Sequence, residues 1–304
     1  SCTARRPRRL PRAPEARGAP LDVPALHRDF VDFCLKNAEK LVPTLEQRST
    51  QTNEVGRVSV LRFALARLRE EGIHDVSIAE LGASAGLNLA LDRYRVTYST
   101  GATWGPVDAP VHVACELRGS VALPDEAFMD LPNIHERRGL DRNPVQIADE
   151  HEKRWLLACV WPDQVARFER TRAAIDAARL LSLTVERGTL PEGARLFLGA
   201  ASPAAHLCIW TTWVLAYLSE EARLELERIV LHLARTRDIT WIVAESPDNW
   251  GAFGKLAQAQ HGIHADRTLL GLRCYRGGKR HDVALAEMHG HGTWMRILPT
   301  SARS

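Results

Sequence analysis

The stretch that decides the fold is Val76-Ser77-Ile78-Ala79-Glu80-Leu81-Gly82-Ala83-Ser84-Ala85-Gly86-Leu87-Asn88-Leu89. It runs from an apolar segment through an acid and a glycine-spaced turn into a helical pattern, which is typical of a strand, a loop and a helix. Small residues let backbone N–H groups of such a loop approach a ligand. Two chemistries fit this spelling. Glu80 before Gly82 and Gly86 is typical of an S-adenosyl-L-methionine (AdoMet) site, whereas Gly82-x-Ser84-x-Gly86 is typical of a hydrolase nucleophile elbow.

Composition indicates a globular α/β protein. The chain has 304 residues, of which 45% are hydrophobic and 25% charged, enough for one large domain with additions. No apolar run approaches the roughly 20 residues that cross a bilayer, so we expect no membrane partner. The six cysteines are scattered without close pairs, as in reduced cytoplasmic proteins.

The net charge is unevenly distributed. Residues 1–17 hold six arginines and one acid, a local charge of +5, which leaves −2 for the remainder of the formal +3. A slightly acidic globular part argues against a nucleic-acid partner. Residues 1–20 are rich in arginine and proline and lack an apolar signal region, so we predict a disordered tail and no secretory signal.

Strands alternate with helices along the rest of the chain. Residues 21–72 are predicted to form helices that pack over the site, and residues 73–298 a Rossmann-like AdoMet-binding domain with a β-hairpin insertion at 95–120. The predicted strands are 76–81, a short strand before Asp141, 184–188, 206–213, 239–245, 269–276, 282–288 and 294–298. This alternation, closed by a hairpin, predicts a mostly parallel sheet.

The AdoMet interpretation accounts for several polar positions together. Asp141 follows the second strand of the domain, where an acid accepts hydrogen bonds from ribose hydroxyls. Trp210 and Thr211 belong to the fourth strand, where an aromatic face would attract the sulfonium. The predicted cofactor contacts are Glu80, Gly82, Ser84, Gly86, Asn88, Asp141, Arg142, Thr189, Trp210 and Thr211.

A polar segment precedes the helix that starts near Val58. Residues 51–57 place four strongly polar side chains beside an apolar helix, and they are candidates for closing over the cofactor or gripping the acceptor. Glu54 is the candidate general base. The predicted substrate contacts are Gln51, Asn53, Arg57, Tyr94, Trp213 and His289.

Other chemistries fit less of the sequence. A serine hydrolase would use Ser84 with Glu245 or Asp248 as the acid and His289 or His291 as the base. However, a nucleophile elbow normally follows several strands, whereas the chain before Ser84 is predicted to be mostly helical. That part of the chain also contains no His-Gly-Gly oxyanion segment. A nicotinamide site would need glycine at position 84, and a P-loop would need Gly-Lys-Ser/Thr. Two histidines near residue 290 without a third ligand predict a turn and no metal site.

Longer strings resemble a known bacterial family. They are residues 51–57, residues 80–88 with Asp92-Arg93-Tyr94, Arg138-Gly139-Leu140-Asp141-x-x-Pro144, Trp155-Leu-x-Ala-Cys159-Val-Trp161-Pro-Asp-Gln164-x-x-Arg167 and His289-Gly-His-Gly-x-Trp294. They are similar to an uncharacterised family catalogued as domain of unknown function 2332, over about residues 25–298. That family resembles divergent class I AdoMet-dependent methyltransferases, which implies a seven-stranded sheet with an antiparallel last strand. Gly188-Thr189 stands where many methyltransferases have Gly-Asp.

These observations lead to a small-molecule methyltransferase as the first hypothesis. The fourth strand lacks the Asn/Asp-Pro-Pro-Tyr string of enzymes that methylate exocyclic amines of bases, which disfavours nucleic-acid substrates. Two alternatives stay open: an AdoMet enzyme that attacks another position of the sulfonium, and a protein that binds its ligand without catalysis.

Overall fold

The fold is α/β, with a large mixed sheet and helices. The structure, a computed structural model, describes residues 23–123, 130–181, 183 and 185–299. The predicted disordered tail, residues 1–20, lies outside the described residues. Within those ranges, no helix is both long and apolar enough to cross a membrane.

Eleven strands and eight α-helices make up the described chain. The strands are β1 (Asp75–Leu81), β2 (Arg95–Tyr98), β3 (Thr103–Trp104), β4 (His112–Arg118), β5 (Asn133–Asp141), β6 (Val185–Arg187), β7 (His206–Thr212), β8 (Ile239–Glu245), β9 (Thr268–Arg276), β10 (Lys279–Met288) and β11 (Trp294–Ile297). The helices are α1 (Val23–Lys36), α2 (Ala38–Gln47), α3 (Val58–Glu70), α4 (Glu150–Ala158), α5 (Val165–Leu180), α6 (Ala194–Gly199), α7 (Glu220–Leu233) and α8 (Ala252–His261).

The sheet has the order β3-β2-β4-β11-β10-β9-β8-β7-β1-β5-β6. Strands β6, β5, β1, β7 and β8 run parallel, whereas β9 is antiparallel to β8 and β10 is antiparallel to β9. Of the parallel strands that follow β1 in the chain, β5 and β6 are added first on one side, and β7 and β8 are then added on the other. In parallel sheets, such a reversal opens a crevice at the carboxyl ends of the two diverging strands.

The predicted α/β class is confirmed, but the predicted count of seven strands is wrong. Residues 95–120, predicted as a separate hairpin, form β2, β3 and β4, and β4 pairs with β11 through Trp294 and Glu116. The insertion and the end of the chain therefore extend the same sheet. Contrary to the prediction, the antiparallel strand is also not the last one. Among β1 and β5–β10, only β9 is antiparallel to the others, and it is the sixth of these seven strands in chain order.

Both faces of the three parallel strands β1, β7 and β8 are covered. β8 is buried at every position, and β1 and β7 at all but the first. This explains why these segments read as nearly continuous apolar runs. Helix α3 packs ten buried residues against one face and ends, as predicted, before Gly72, whose φ of +83° suits the position after a helix.

The first two helices pack differently from α3. The predicted amphipathic helices are present as α1 and α2, but neither contains a buried residue. The helix predicted after the β1 loop is instead a 3₁₀ segment, Leu87–Arg93, with non-helical backbone at Ala90.

Stability should depend on α3 much more than on α2. Leu65 is fully buried in α3, so Leu65→Ala should lower the free energy of unfolding by about 2–5 kcal/mol by leaving a cavity. Leu45 in α2 is 67% exposed, so Leu45→Ala should change it by less than about 0.5 kcal/mol. Urea unfolding followed by circular dichroism measures both, and equal losses would contradict this description of the core.

Candidate functional site

One cleft lies at the carboxyl ends of β1, β5, β6 and β7. Its volume is about 700 Å³, and it is lined by residues 49–52, Arg57, the loop after β1, the ends of the other three strands and residues 290–291. This is the reversal point of the sheet, and the volume is ordinary for a small-molecule site. The cleft is therefore the candidate functional site.

The loop after β1 is held by hydrogen bonds within the protein. The N–H groups of Gly82 and Ala83 both donate to the carbonyl of Leu140, at 2.8 and 3.1 Å, and that of Ser84 donates to Asp141 Oδ2 at 2.7 Å. Gly82 has φ +76°, and a Cβ there would lie 2.5 Å from Val214 Cγ2, so no other residue fits. Because these amides are already bonded, the loop shapes the cleft more than it offers donors to it.

Residues 51–53 lie against this loop. Ser84 Oγ donates to Gln51 Oε1 at 2.9 Å, and Gln51 Nε2 donates to the carbonyl of Asn143 at 3.0 Å. Asn53 Oδ1 accepts the N–H of Leu87 at 3.0 Å, at the start of the 3₁₀ segment. Gln51 lines the cleft, whereas Asn53 is buried beneath it and acts as a cap.

The bonding of Ser84 does not provide a nucleophile. Its hydroxyl donates to an amide oxygen, which is not a general base, and no histidine is among its hydrogen-bond partners in the described part of the chain. Glu245, a predicted triad acid, accepts the N–H groups of Val214 and Leu215 instead. His289 Nδ1 accepts the N–H of His291 at 3.2 Å. These contacts contain no serine–histidine pair.

Asp141 lies where the sequence analysis expects a ribose-binding acid. It ends β5 and lines the cleft together with Arg142 and Thr189. One carboxylate oxygen accepts from Ser84 and the other from the N–H of Asn143, at 2.8 Å. Each oxygen has a second lone pair, so Asp141 can accept two further bonds from a ligand.

Several predicted cofactor contacts lie inside the protein. Glu80, 1% exposed, accepts from Asn88 Nδ2 at 3.4 Å and stands opposite Trp210 in the sheet. Thr211 Oγ1 accepts from Trp241 Nε1 at 3.1 Å. The five predicted contacts that are buried and do not line the cleft are Glu80, Gly86, Asn88, Trp210 and Thr211. β7 continues to Thr212, so the cleft meets Thr212 and Trp213 rather than the residues before them.

The predicted substrate contacts divide in the same way. Arg57 and Trp213 line the cleft, as does Gln51. Tyr94 is fully buried and donates through its hydroxyl to the carbonyl of Leu87 at 2.6 Å. His289 does not line the cleft, but His291, two residues later, does.

Glu54, the predicted general base, is engaged in ion pairs beneath the cleft. It is 1% exposed, lies 2.5 Å from Arg167 Nε and 3.2 Å from Arg170 Nη2, and accepts the N–H of Gly56 at 2.8 Å. It does not line the cleft. These contacts engage both carboxylate oxygens and fix the start of α3.

Arg57 and Glu245 hold the opposite wall of the cleft. Arg57 Nε donates to the carbonyl of Gly290 at 2.8 Å, and Nη1 donates to the carbonyl of Thr212 at 2.9 Å. Glu245 Oε1 accepts from Val214 at 2.8 Å and Leu215 at 3.1 Å, and burial raises the pKa of Glu245 to about 7. These two buried side chains position the turn after β7.

That turn and the start of α7 contain lining residues that the sequence analysis missed: Val214, Tyr217, Leu218, Ser219 and Ala222. The segment follows a buried strand directly, so its position could have been found from the rule that ligands bind at the carboxyl ends of parallel strands. Among the residues that the structure describes, no group of three or more histidine, cysteine or acidic side chains could hold a metal ion.

The buried acid of β1 should make stability depend on pH. Burial raises the pKa of Glu80 from its ordinary 4.5 to about 8, so the folded protein keeps a proton that the unfolded chain releases. This contribution to stability is complete below the unfolded pKa and is lost as pH rises through the folded pKa. Between about pH 5 and pH 8, the free energy of unfolding should fall for the wild type relative to Glu80→Gln.

Urea unfolding at several pH values measures this difference. The exposed acid Glu192 provides the control, since Glu192→Gln should follow the wild type throughout. A Glu80→Gln profile parallel to the wild-type profile would contradict a protonated Glu80.

Comparison with known proteins identifies the family. The family model described as "Uncharacterized protein conserved in bacteria (DUF2332)" matches residues 2–296. No curated protein and no solved structure matches the chain. Since the match covers nearly the whole chain, the protein belongs to this bacterial family, domain of unknown function 2332.

Proposed function

We propose that this protein binds AdoMet in the cleft and transfers its methyl group to a small-molecule acceptor. The observation that carries the proposal is the position of Asp141. It ends the strand next to β1, beside a glycine loop, at the reversal point of a parallel sheet. This combination is typical of sites that hold a ribose.

The residues of the cleft fit AdoMet along its length. Asp141 keeps acceptor capacity for the ribose hydroxyls, and Thr189 after β6 is placed for the adenine side. Trp213 replaces Trp210 as the aromatic side chain beside the sulfonium, because it is Trp213 that reaches the cleft. The loop amides are bonded internally, so side chains must supply most of the polar contacts.

When bound, AdoMet supplies an electrophilic methyl group. The chain contributes the positioning of the two reactants in line, which accounts for most of the acceleration of such a transfer. Trp213 is fixed for this task, since its Nε1 donates to Thr268 Oγ1 at 3.0 Å.

The acceptor's proton requires a base that faces the cleft. Glu54 does not line it, whereas His291 does, and burial lowers the pKa of His291. The neutral imidazole is then the dominant form near pH 7, and it can accept a proton. We assign this role to His291 in place of Glu54.

Isothermal titration calorimetry with AdoMet and S-adenosylhomocysteine tests the proposal directly. We expect both to bind with dissociation constants below about 1 mM, as a cleft of this size allows. If neither compound binds, the proposal is overturned. If AdoMet binds, mass spectrometry of the products separates methyl transfer from reaction elsewhere on the sulfonium, and lack of any product would indicate a binding protein.

Asp141→Ala should weaken AdoMet binding by about 10- to 100-fold, the effect of losing charge-assisted hydrogen bonds to the ribose. Asp141→Asn, which keeps one acceptor oxygen, should show an intermediate loss. Asp163 is exposed outside the cleft, so Asp163→Ala serves as the matched control and should bind like the wild type. The same calorimetric titration measures all three variants, and unchanged affinity of Asp141→Ala would refute the ribose assignment.

A further inference from the structure

A buried arginine in the cleft wall has donors to spare. Arg57, at the start of α3, is 7% exposed and lines the cleft. A guanidinium group has five N–H donors. The Nε donor bonds to Gly290, and both Nη1 donors reach Thr212, at its carbonyl and at its Oγ1 (3.4 Å). The two donors of Nη2 take part in none of these bonds.

The charge of Arg57 is also incompletely balanced. In the described part of the chain it forms no ion pair, although three acids interact with it at longer range. Glu54 is bonded to Arg167 and Arg170. Burial raises the pKa of Glu245 to about 7 and the pKa of Glu80 to about 8. Near neutral pH, Glu245 is therefore partly protonated and Glu80 is largely protonated.

A buried cation without a carboxylate partner is costly, so its presence at the wall of a cleft calls for a ligand of opposite charge. The carbonyls of Thr212 and Gly290 hold the guanidinium group through Nη1 and Nε, which orients Nη2 before a ligand arrives. The two N–H groups of Nη2 remain to donate to the oxygens of a carboxylate or phosphate.

We propose that Arg57 is the receptor for an oxyanion of the ligand that occupies this cleft. The oxyanion is a carboxylate or a phosphate, supplied either by the amino-acid end of the cofactor or by the acceptor. Only the choice between these two sources rests on the proposed function, because the geometry of Arg57 is independent of it.

The first arm of the test compares two ligands in two proteins. S-adenosylhomocysteine carries a carboxylate, whereas 5′-methylthioadenosine lacks the amino-acid portion. If the cofactor supplies the oxyanion, Arg57→Gln weakens binding of the former by about 10- to 100-fold and of the latter by less than about threefold, as expected for one charged hydrogen-bonded pair. Arg57→Lys, which keeps the charge but loses the planar guanidinium donors, gives an intermediate loss. Equal weakening of both ligands would assign Arg57 a purely structural role and overturn the proposal.

The second arm uses inorganic phosphate as the probe and thermal unfolding as the readout. Phosphate at millimolar concentration stabilises the wild type, and Arg57→Gln abolishes this stabilisation. Arg228→Gln on α7 removes an equal charge from an exposed position outside the cleft and keeps the stabilisation.

The two arms separate the sources of the oxyanion. An effect of Arg57→Gln on phosphate with unchanged binding of both nucleosides assigns the oxyanion to the acceptor. If neither nucleoside binds the wild type, the proposed function fails, and the phosphate arm alone decides the subsite. Equal phosphate stabilisation of the wild type and Arg57→Gln, without an effect on S-adenosylhomocysteine, would refute the subsite.

Discussion

The bond on which the cleft depends is the one from the Ser84 amide to the Asp141 carboxylate, 2.7 Å long. It joins the loop after β1 to the end of β5. The same carboxylate accepts from Asn143, so one side chain sets the path of two loops at once. Ser84 has a positive φ of 54°, a conformation that non-glycine residues rarely adopt, and the bonds to Asp141 and Gln51 compensate for its cost. Losing this carboxylate would remove one hydrogen bond from each of the two loops.

The use of side chains to hold the loop changes what the site can recognise. A glycine loop that leaves its amides free binds anions through the backbone. Here Leu140, Asp141 and Asn53 accept from those amides, whereas the Arg57 side chain in the cleft wall keeps two Nη2 donors that its bonds to Gly290 and Thr212 do not use. Under our proposal, negative charge is recognised by a buried guanidinium on the opposite wall and not by the backbone of the loop.

Much of the parallel half of the sheet could be predicted from the sequence, because β1, β7 and β8 are buried on both faces and read as apolar runs. Asp141 was placed in the cleft for a different reason, since an acid at the end of a parallel strand lies at the carboxyl edge of the sheet, although β5 itself is only partly buried. The extension by β4 and β11 could not be predicted, because pairing between Glu116 and Trp294 joins residues far apart in the sequence.

Positions near strand ends and buried ion pairs were also beyond the sequence analysis. Trp210 and Trp213 lie three residues apart in one polar and aromatic string. Trp210 is nevertheless buried in the core, whereas Trp213 lines the cleft. Glu54 and Arg57 both looked like site residues. Arg167 and Arg170 lie on α5, more than a hundred positions further along the chain. Their ion pairs with Glu54 make that side chain structural, whereas Arg57 lines the cleft.

The walls of the cleft come from segments that are distant in the chain. Arg57 bonds to Thr212 and Gly290 across sequence separations of 155 and 233 residues. Both contacts depend on a correctly formed sheet, because Thr212 ends β7 and Gly290 follows β10. The polar segment before α3 is thus a structural part of the site, since it supplies the loop with Asn53 and the wall with Arg57. A site assembled in this way cannot be reduced to the glycine loop that first indicates it.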